Sequence, residues 1–507
     1  MEKLLKIGNS IFFVLMAFWT YFSIYFLFQY LNVDYTNLTS SQAKLLIAFT
    51  ILMIIAYHFR KQVGSWIVSF YRLIIVHKAL LLLPLCLFQL LILLTSVGLA
   101  AADTTIVYNM ATDPSFAHTT DYISIYPNNF LLLLWFKLNY FIAGQNLVVL
   151  LAFWNVLFID GAIVLIYLTN KSALGQRVAN LSYLMMILIL GLSPQYIYTY
   201  SDPITLFVLS IFIYMVVRLM KTPNFLGFII AGLVLAIGYG LRPTVLIFII
   251  AGLISFVYYC LMTKDKKRIK TYLIGITVAT LSFLMFNRAT HYVLEHQQFV
   301  RYEQNMSRTL LYYVDLGLTY SGNIHAEISP EVAAATGDNR NKMAVAEIKH
   351  RLKNYNFASF TGHIYYKYYW MVGEGMFGWL QERVLSEQQL QAIPWLQRVQ
   401  STKIAQYIRS FIYVEGGRYY LYALGIQIIW IIISLGLLLF CKFYNTKNLY
   451  QLWMQITIFG GLLFLFIFEA GRSRYLIQFL PAIITVSSIG WEGFRPNVRP
   501  TFTLKSR

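Results

Sequence analysis

Long apolar runs separated by short polar stretches set the pattern of this chain. They fall at about 11–31, 43–58, 79–101, 147–168, 178–197, 203–220, 225–241, 243–262, 271–287, 419–441, 451–468 and 475–490. A helix of roughly 17 to 25 apolar residues crosses a hydrocarbon core about 30 Å thick. The runs are continuous rather than alternating, and backbone inside a bilayer must satisfy its own hydrogen bonds. The pattern therefore predicts an all-α, polytopic membrane protein with about twelve transmembrane helices, and it excludes a barrel.

Two further apolar stretches are too short or too charged to span. Residues 129–143 read NFLLLLWFKLNYFIA and carry Lys137, and residues 64–76 lie between Arg60, Lys61 and Lys78. Both are predicted to be helices lying along a membrane surface. With these left out of the count, the basic clusters decide orientation. Lys3 and Lys6, Arg60 to Lys78, Lys171 and Arg177, Arg218 and Lys221, the 264–270 cluster, Lys442 and Lys447, and the 495–507 tail all fall on one side. The positive-inside rule makes that side cytoplasmic, together with both termini. The first run follows MEKLLKIG, reaches Leu31 without a small-residue cleavage site, and is expected to remain as the first span.

The opposite side receives a loop at 102–146 and a long excursion at 289–418. The expected organisation is N-terminal helices with a surface helix over 1–78 and a membrane core over 79–288. An extracytoplasmic helical cap over 289–418 follows, then C-terminal helices and a tail over 419–507. Inside the cap, residues 341–352 have amphipathic helical spacing. Residues 362–382 are aromatic enough to be expected against lipid or the membrane surface.

Composition agrees. The 507 residues are 58% hydrophobic and 12% charged, against about 25% charged in soluble proteins. The net charge of +19 sits in the short clusters between spans, so no nucleic-acid partner is expected. Cys86, Cys260 and Cys441 lie in or at the ends of apolar runs and suggest neither disulfides nor a metal site. No cofactor is implied, and a need for divalent metal stays open because nothing has metal-ligand spacing.

The candidate chemistry gathers on the non-cytoplasmic side. Asp103, Asp113, His118, Asp121 and Tyr126 come from the 102–146 loop, Tyr200 and Asp202 from TYSDP, and Arg242 from GLRPT. Glu469, Arg472, Arg474 and Tyr475 come from FEAGRSRYLIQFLP. A carboxylate directly beyond an apolar run reads as functional by default. Carboxylates beside guanidinium groups suit a reaction in which an acid activates a hydroxyl while arginines hold a phosphate. Local structural roles compete: Asp103 and Asp202 are also placed to cap helices, Asp113 precedes Pro114 as turn residues do, and Arg242 could snorkel. Arg472 and Arg474 stand out because they break the basic-inside distribution.

The ordered series AADTTIVYNMA, YPNN, YSDP, RPT and EAGRSRYLIQFLP resembles the GT-C superfamily of polytopic membrane glycosyltransferases, near its protein O-mannosyltransferase and aminoarabinose-transferase branch. It is similar also to related membrane proteins of Gram-positive bacteria, a likeness that KYYWMVGEGMFGWLQE shares. The resemblance runs from about Ser96 to Gly490. It implies a polyprenyl-phosphate-linked sugar as donor, inversion at the anomeric carbon, and Asp103 as base with Asp121 as helper. The donor phosphate would fall to Arg472, Arg474 and Arg242, and the pocket to Tyr126, His118, Asp202, Glu469 and Tyr475. The acceptor would be a cell-envelope glycan, teichoic acid, lipid or protein, with membrane lipid surrounding the whole. Many relatives have Glu after the aspartate, whereas here Thr104 stands there.

Two rivals belong to other classes. A lipid-linked sugar flippase would show related halves and charged residues at mid-bilayer, often in broken helices. A non-catalytic scaffold of an envelope-polymer assembly would use the surface aromatics of 362–382.

Overall fold

The computed structural model describes residues 2–31, 57–100, 103–193, 196–197, 201–320, 327–377, 382–384, 391–444, 448–469 and 471–494, with isolated positions between 47 and 55. Half of the expected span at 43–58, and Tyr200, therefore fall outside the described residues.

The described chain is helical, as the continuous apolar runs require. It begins with α1 (Glu2–Tyr30), α2 (Arg60–Val76) and α3 (Lys78–Ser96), followed by a short strand β1 (Gly98–Ala100). Next come α4 (Asp103–Thr112), α5 (Pro114–Thr119), α6 (Phe130–Ala143), α7 (Leu147–Leu174) and α8 (Gln176–Met186), the last running into a π-helical turn at Ile187–Gly191. Then follow α9 (Ser201–Lys221), α10 (Phe225–Leu241), α11 (Leu246–Met262) and α12 (Lys266–His296). The long excursion supplies α13 (Leu310–Gly317), α14 (Gly337–Asn354), α15 (Phe357–Val372), strand β2 (Glu382–Val384) and α16 (Lys403–Ile412). The chain ends with α17 (Tyr419–Phe443), α18 (Leu449–Phe468) and α19 (Leu480–Gly493), the last entered through a 3-10 turn at Ser473–Phe479.

Among the described residues, nine helical runs are long and apolar enough to cross a membrane, and Gln176–Gly191 and Phe225–Leu241 are shorter apolar helices. These account for all the predicted spans except 43–58. The short stretch 129–143 is a helix as expected. Gly144, at φ 52°, breaks it from α7, although the two form one 48-residue helical run.

Small residues let the C-terminal helices approach closely: a Cβ on Gly490 would stand 1.9 Å from the Gly436 carbonyl oxygen. That is the contact expected where helices must pack without a hydrophobic driving force between them. One difference from expectation concerns the aromatic stretch after residue 362. Its helix α15 packs on α1, with Phe22 against Tyr365, Tyr368 and Tyr369 at ring distances of 4.8, 5.7 and 5.6 Å. Tyr368, Met371, Val372, Met376 and Phe377 are buried in protein instead of facing lipid. Buried Gln427 of α17 locks the turn that follows, accepting from Gly375 N and donating to the Ser23 and Gly373 carbonyls. Aromatic side chains that looked interfacial thus dock the cap onto the bundle.

A second difference is Asp160, inside α7, whose carboxylate accepts a hydrogen bond from Gln89 of α3 at 2.9 Å. Gln89 also donates to the Gly191 carbonyl in the π-helical turn. Polar groups are therefore not confined to one end of the bundle. Hydropathy windows pass over a single acid of this kind.

Candidate functional site

The approach to Asp103 is held by the cap. The last carbonyls of α3 have no intrahelical partner, and side chains from the 394–413 region fill that role. Arg409 donates to Thr95 O at 2.8 Å, Tyr413 to Ser96 O at 3.0 Å and Gln400 to Val97 O at 3.3 Å. The chain then pairs with β2, Gly98 opposite Val384 and Ala100 opposite Glu382. Asp103 opens α4 as the acid of its first turn, where the helix dipole favours a negative charge. Its two sequence readings, helix start and functional acid, are thus compatible in one place.

Tyr313 of α13, which the sequence did not single out, has charges from several of these segments near it. It is close enough to Asp103, Glu469 and Arg308 to interact with all three electrostatically. Glu469 follows α18 and lies beside Arg472, Arg242 and Lys367, with a hydrogen bond to Tyr475. Burial pushes its carboxyl up to about 7 even though these neighbours oppose the rise. Lys367 has no solvent exposure. It donates to Gly317 O at 2.5 Å and Phe466 O at 2.6 Å, clamping the ends of α13 and α18 together. Burial lowers its ammonium to about 8, against the pull of Glu469. Gly471, at φ 77°, admits the turn bearing Arg472 and Arg474 close to this lysine, since a Cβ there would lie 2.7 Å from Lys367 O.

Asp202 is fully buried and takes Arg242 on one oxygen and Arg474 on the other, each at 3.0 Å. Arg242 also donates to Ser201 Oγ at 2.8 Å and sits 5.7 Å from the centre of the Tyr475 ring. Two of the three arginines expected to hold phosphate therefore share a carboxylate that offsets one of their charges. Glu374, in the turn after α15, is buried and accepts from Tyr30 at 2.8 Å and from Ser473, between Arg472 and Arg474, at 3.2 Å.

Of the other residues of the first loop, Tyr126 reaches this cluster through Arg308, and Asp113 and Asp121 have partners of their own. Asp113 caps α5, accepting from Ser115 N at 2.8 Å and Phe116 N at 3.3 Å; this is the structural role its position before proline suggests. His118 is exposed at the end of α5. Asp121 pairs with Arg301 at 3.1 Å, and Arg301 also holds Glu303 at 2.5 Å. Tyr126 accepts a hydrogen bond from Arg308, whose guanidinium carbon lies 4.6 Å from the Tyr126 ring centre. Among the described residues, no group of three or more His, Cys, Asp and Glu side chains is arranged to hold a metal.

Sequence reasoning missed Tyr313, Arg301, Arg308, Arg340 and Lys367. A signal for the arginines was present. They lie in the 289–418 excursion, which the charge pattern puts on the expected non-cytoplasmic side together with Arg472 and Arg474.

Comparison with solved structures finds the archaeal oligosaccharyltransferase AglB from Archaeoglobus fulgidus, in complex with an inhibitory peptide and a dolichol-phosphate, at 12% identity and a TM-score of 0.39. The match covers 81% of this chain and 50% of that one, so the chain spans half the length of the enzyme it matches. No curated protein sequence matches. A family model described as conserved hypothetical integral membrane protein matches residues 1–494. The chain belongs to that family of integral membrane proteins.

Proposed function

We propose that this protein is a membrane glycosyltransferase that moves a sugar from a polyprenyl-phosphate carrier to an acceptor hydroxyl on the extracytoplasmic side. The observation that carries the proposal is the gathering of Asp103, Glu469 and the Arg308–Tyr313 segment, from three separate stretches of chain, at one end of an apolar bundle. In the proposed step the acceptor oxygen bonds to the anomeric carbon as the bond from that carbon to the phosphate oxygen breaks. The acceptor proton goes to Asp103, and the electron pair leaves with the phosphate. A positioned base and nearby guanidinium groups are what such a step requires. Arg472, with the outer edges of Arg242 and Arg474, faces the departing phosphate. Tyr126 and Tyr475 shape the pocket. Asp121, held by Arg301, serves the acceptor side. The lipid tail stays between the spans.

A second reading, movement of the lipid-linked sugar across the bilayer, draws on Asp160, because an acid inside a span is a functional candidate in its own right. Proteoliposomes loaded with a panel of labelled polyprenyl-phosphate sugars separate the two. Transfer releases free polyprenyl phosphate and labels an acceptor. Movement of label across the bilayer with no such release, abolished by Asp160→Asn, would favour transport and remove the enzyme.

A further inference from the structure

The arginines near Tyr313 differ in whether a carboxylate meets them. Asp202 serves Arg242 and Arg474, and Asp121 and Glu303 serve Arg301. Asp315 and Glu347 serve Arg351, which meets Asp315 at 2.8 Å. Arg308 and Arg340, by contrast, form no ion pair among the described residues, yet Arg340 donates at 2.7 Å to the carbonyl of Ser307, the residue before Arg308, which brings two like charges together. A like-charged pair in a half-buried setting is costly unless something anionic joins it.

The surroundings are built around that pair. Arg340 is 3% exposed. Its Nη1 donates to Met306 O and Ser307 O, both at 2.7 Å, and so pins the loop that ends in Arg308. Among the described residues its buried Nε meets no acceptor. Arg308 lies between the rings of Tyr126 and Tyr312, at 4.6 and 4.7 Å, which holds its guanidinium in a fixed orientation. Burial and the charge of Arg308 both lower the Arg340 guanidinium from its ordinary value. Both arginines lie beside the Tyr312–Tyr313 step of α13, and Tyr313 is also the neighbour of Asp103 and Glu469.

We infer that Arg308 and Arg340 form a binding site for a phosphate oxyanion beside Tyr313, distinct from the Arg242–Asp202–Arg474 cluster. Two guanidinium groups to which no carboxylate is ion-paired among the described residues offer charge-assisted hydrogen bonds in a setting that a phosphate group matches. The phosphate belongs either to the carrier lipid or to a phosphodiester of the acceptor. The inference rests on the glycosyltransferase reading only for which of these it is.

Binding by the full chain in lipid nanodiscs tests it, with a polyprenyl phosphate and a soluble glycerol-phosphate oligomer as probes and polyprenol and glycerol as uncharged controls. Wild type is expected to bind at least one phosphate probe in preference to its control. Arg308→Met should weaken that binding about tenfold or more, with Arg308→Lys between the two. Loss confined to the lipid probe assigns the carrier, and loss confined to the oligomer assigns the acceptor. Binding is read directly and needs no turnover, so failure of catalysis leaves the site standing. Because Arg340 also holds a loop, Arg308→Met decides the matter. Wild-type affinity for both probes in a folded Arg308→Met protein overturns the inference, as does wild type binding neither phosphate probe above its control.

Discussion

Arg242 and Arg474 on one side, and Arg308 and Arg340 on the other, are the same chemical groups in opposite states. The first pair closes on Asp202, a fully buried carboxylate, at 3.0 Å on each side. The second pair has aromatic walls, backbone carbonyls and each other. An arginine with a buried acid is part of the scaffold first, whereas an arginine without one is available to a ligand. Residue type alone gives no such distinction, because pairing depends on which distant segments fold together.

The sharpest way to break the comparison is Asp202→Ala. Removing the shared acid leaves two guanidinium groups uncompensated in a buried site, at a cost of about 3–5 kcal/mol. Thermal unfolding in detergent should show a large fall in midpoint, and an unchanged midpoint would show that the cluster holds nothing together. Next in size is a rescue. Adding Arg242→Met to Asp202→Ala should restore part of the loss, with a coupling of about 0.5–3 kcal/mol in a double-mutant cycle. Strict additivity would deny that the two side chains act as a pair. Arg308→Met should cost no more than about 1–2 kcal/mol of stability, its hydrogen bond to Tyr126 and ring contacts being all that is lost. A loss as large as that of Asp202→Ala would make both pairs scaffold.

Glu469 supplies a different readout, the pH dependence of stability. Its carboxyl is raised to about 7 in the folded protein by burial, so between its ordinary value and about 7 the folded state holds more protons than the unfolded one. Stability should therefore fall as pH rises through that window and level off above it. Glu469→Gln should flatten this slope in unfolding midpoints taken from pH 5 to 8. A slope that persists in the variant assigns it to another group.

The bundle itself was legible because apolar length is read directly from sequence: the runs from 79–101 to 475–490 each became a helix close to its predicted position. The residues of the site were legible in part. Asp103, Arg472 and Glu469 announce themselves as charges at the ends of apolar runs. Tyr313 and Lys367 do not, since a tyrosine among many tyrosines and a lysine in an aromatic helix carry no local mark. Their importance comes from α13 meeting α18 across Gly317, where a Cβ would lie 2.0 Å from Ile467 O. The 362–382 stretch was legible only in part for a related reason: aromatic composition looks the same whether the partner is lipid or, as for Tyr368 and Tyr369, α1, and Tyr365 and Tyr366 stay exposed.

The most direct measurement is the rate of polyprenyl-phosphate release from a lipid-linked sugar by purified wild type and by Asp103→Asn, with matched folding and donor binding. A base in this position is worth about a hundred- to ten-thousand-fold, so the variant should lose at least a hundredfold in turnover with its donor affinity unchanged. Turnover at the wild-type rate in Asp103→Asn would contradict the assignment of Asp103 as the base and leave the cluster around Tyr313 without its proposed chemistry.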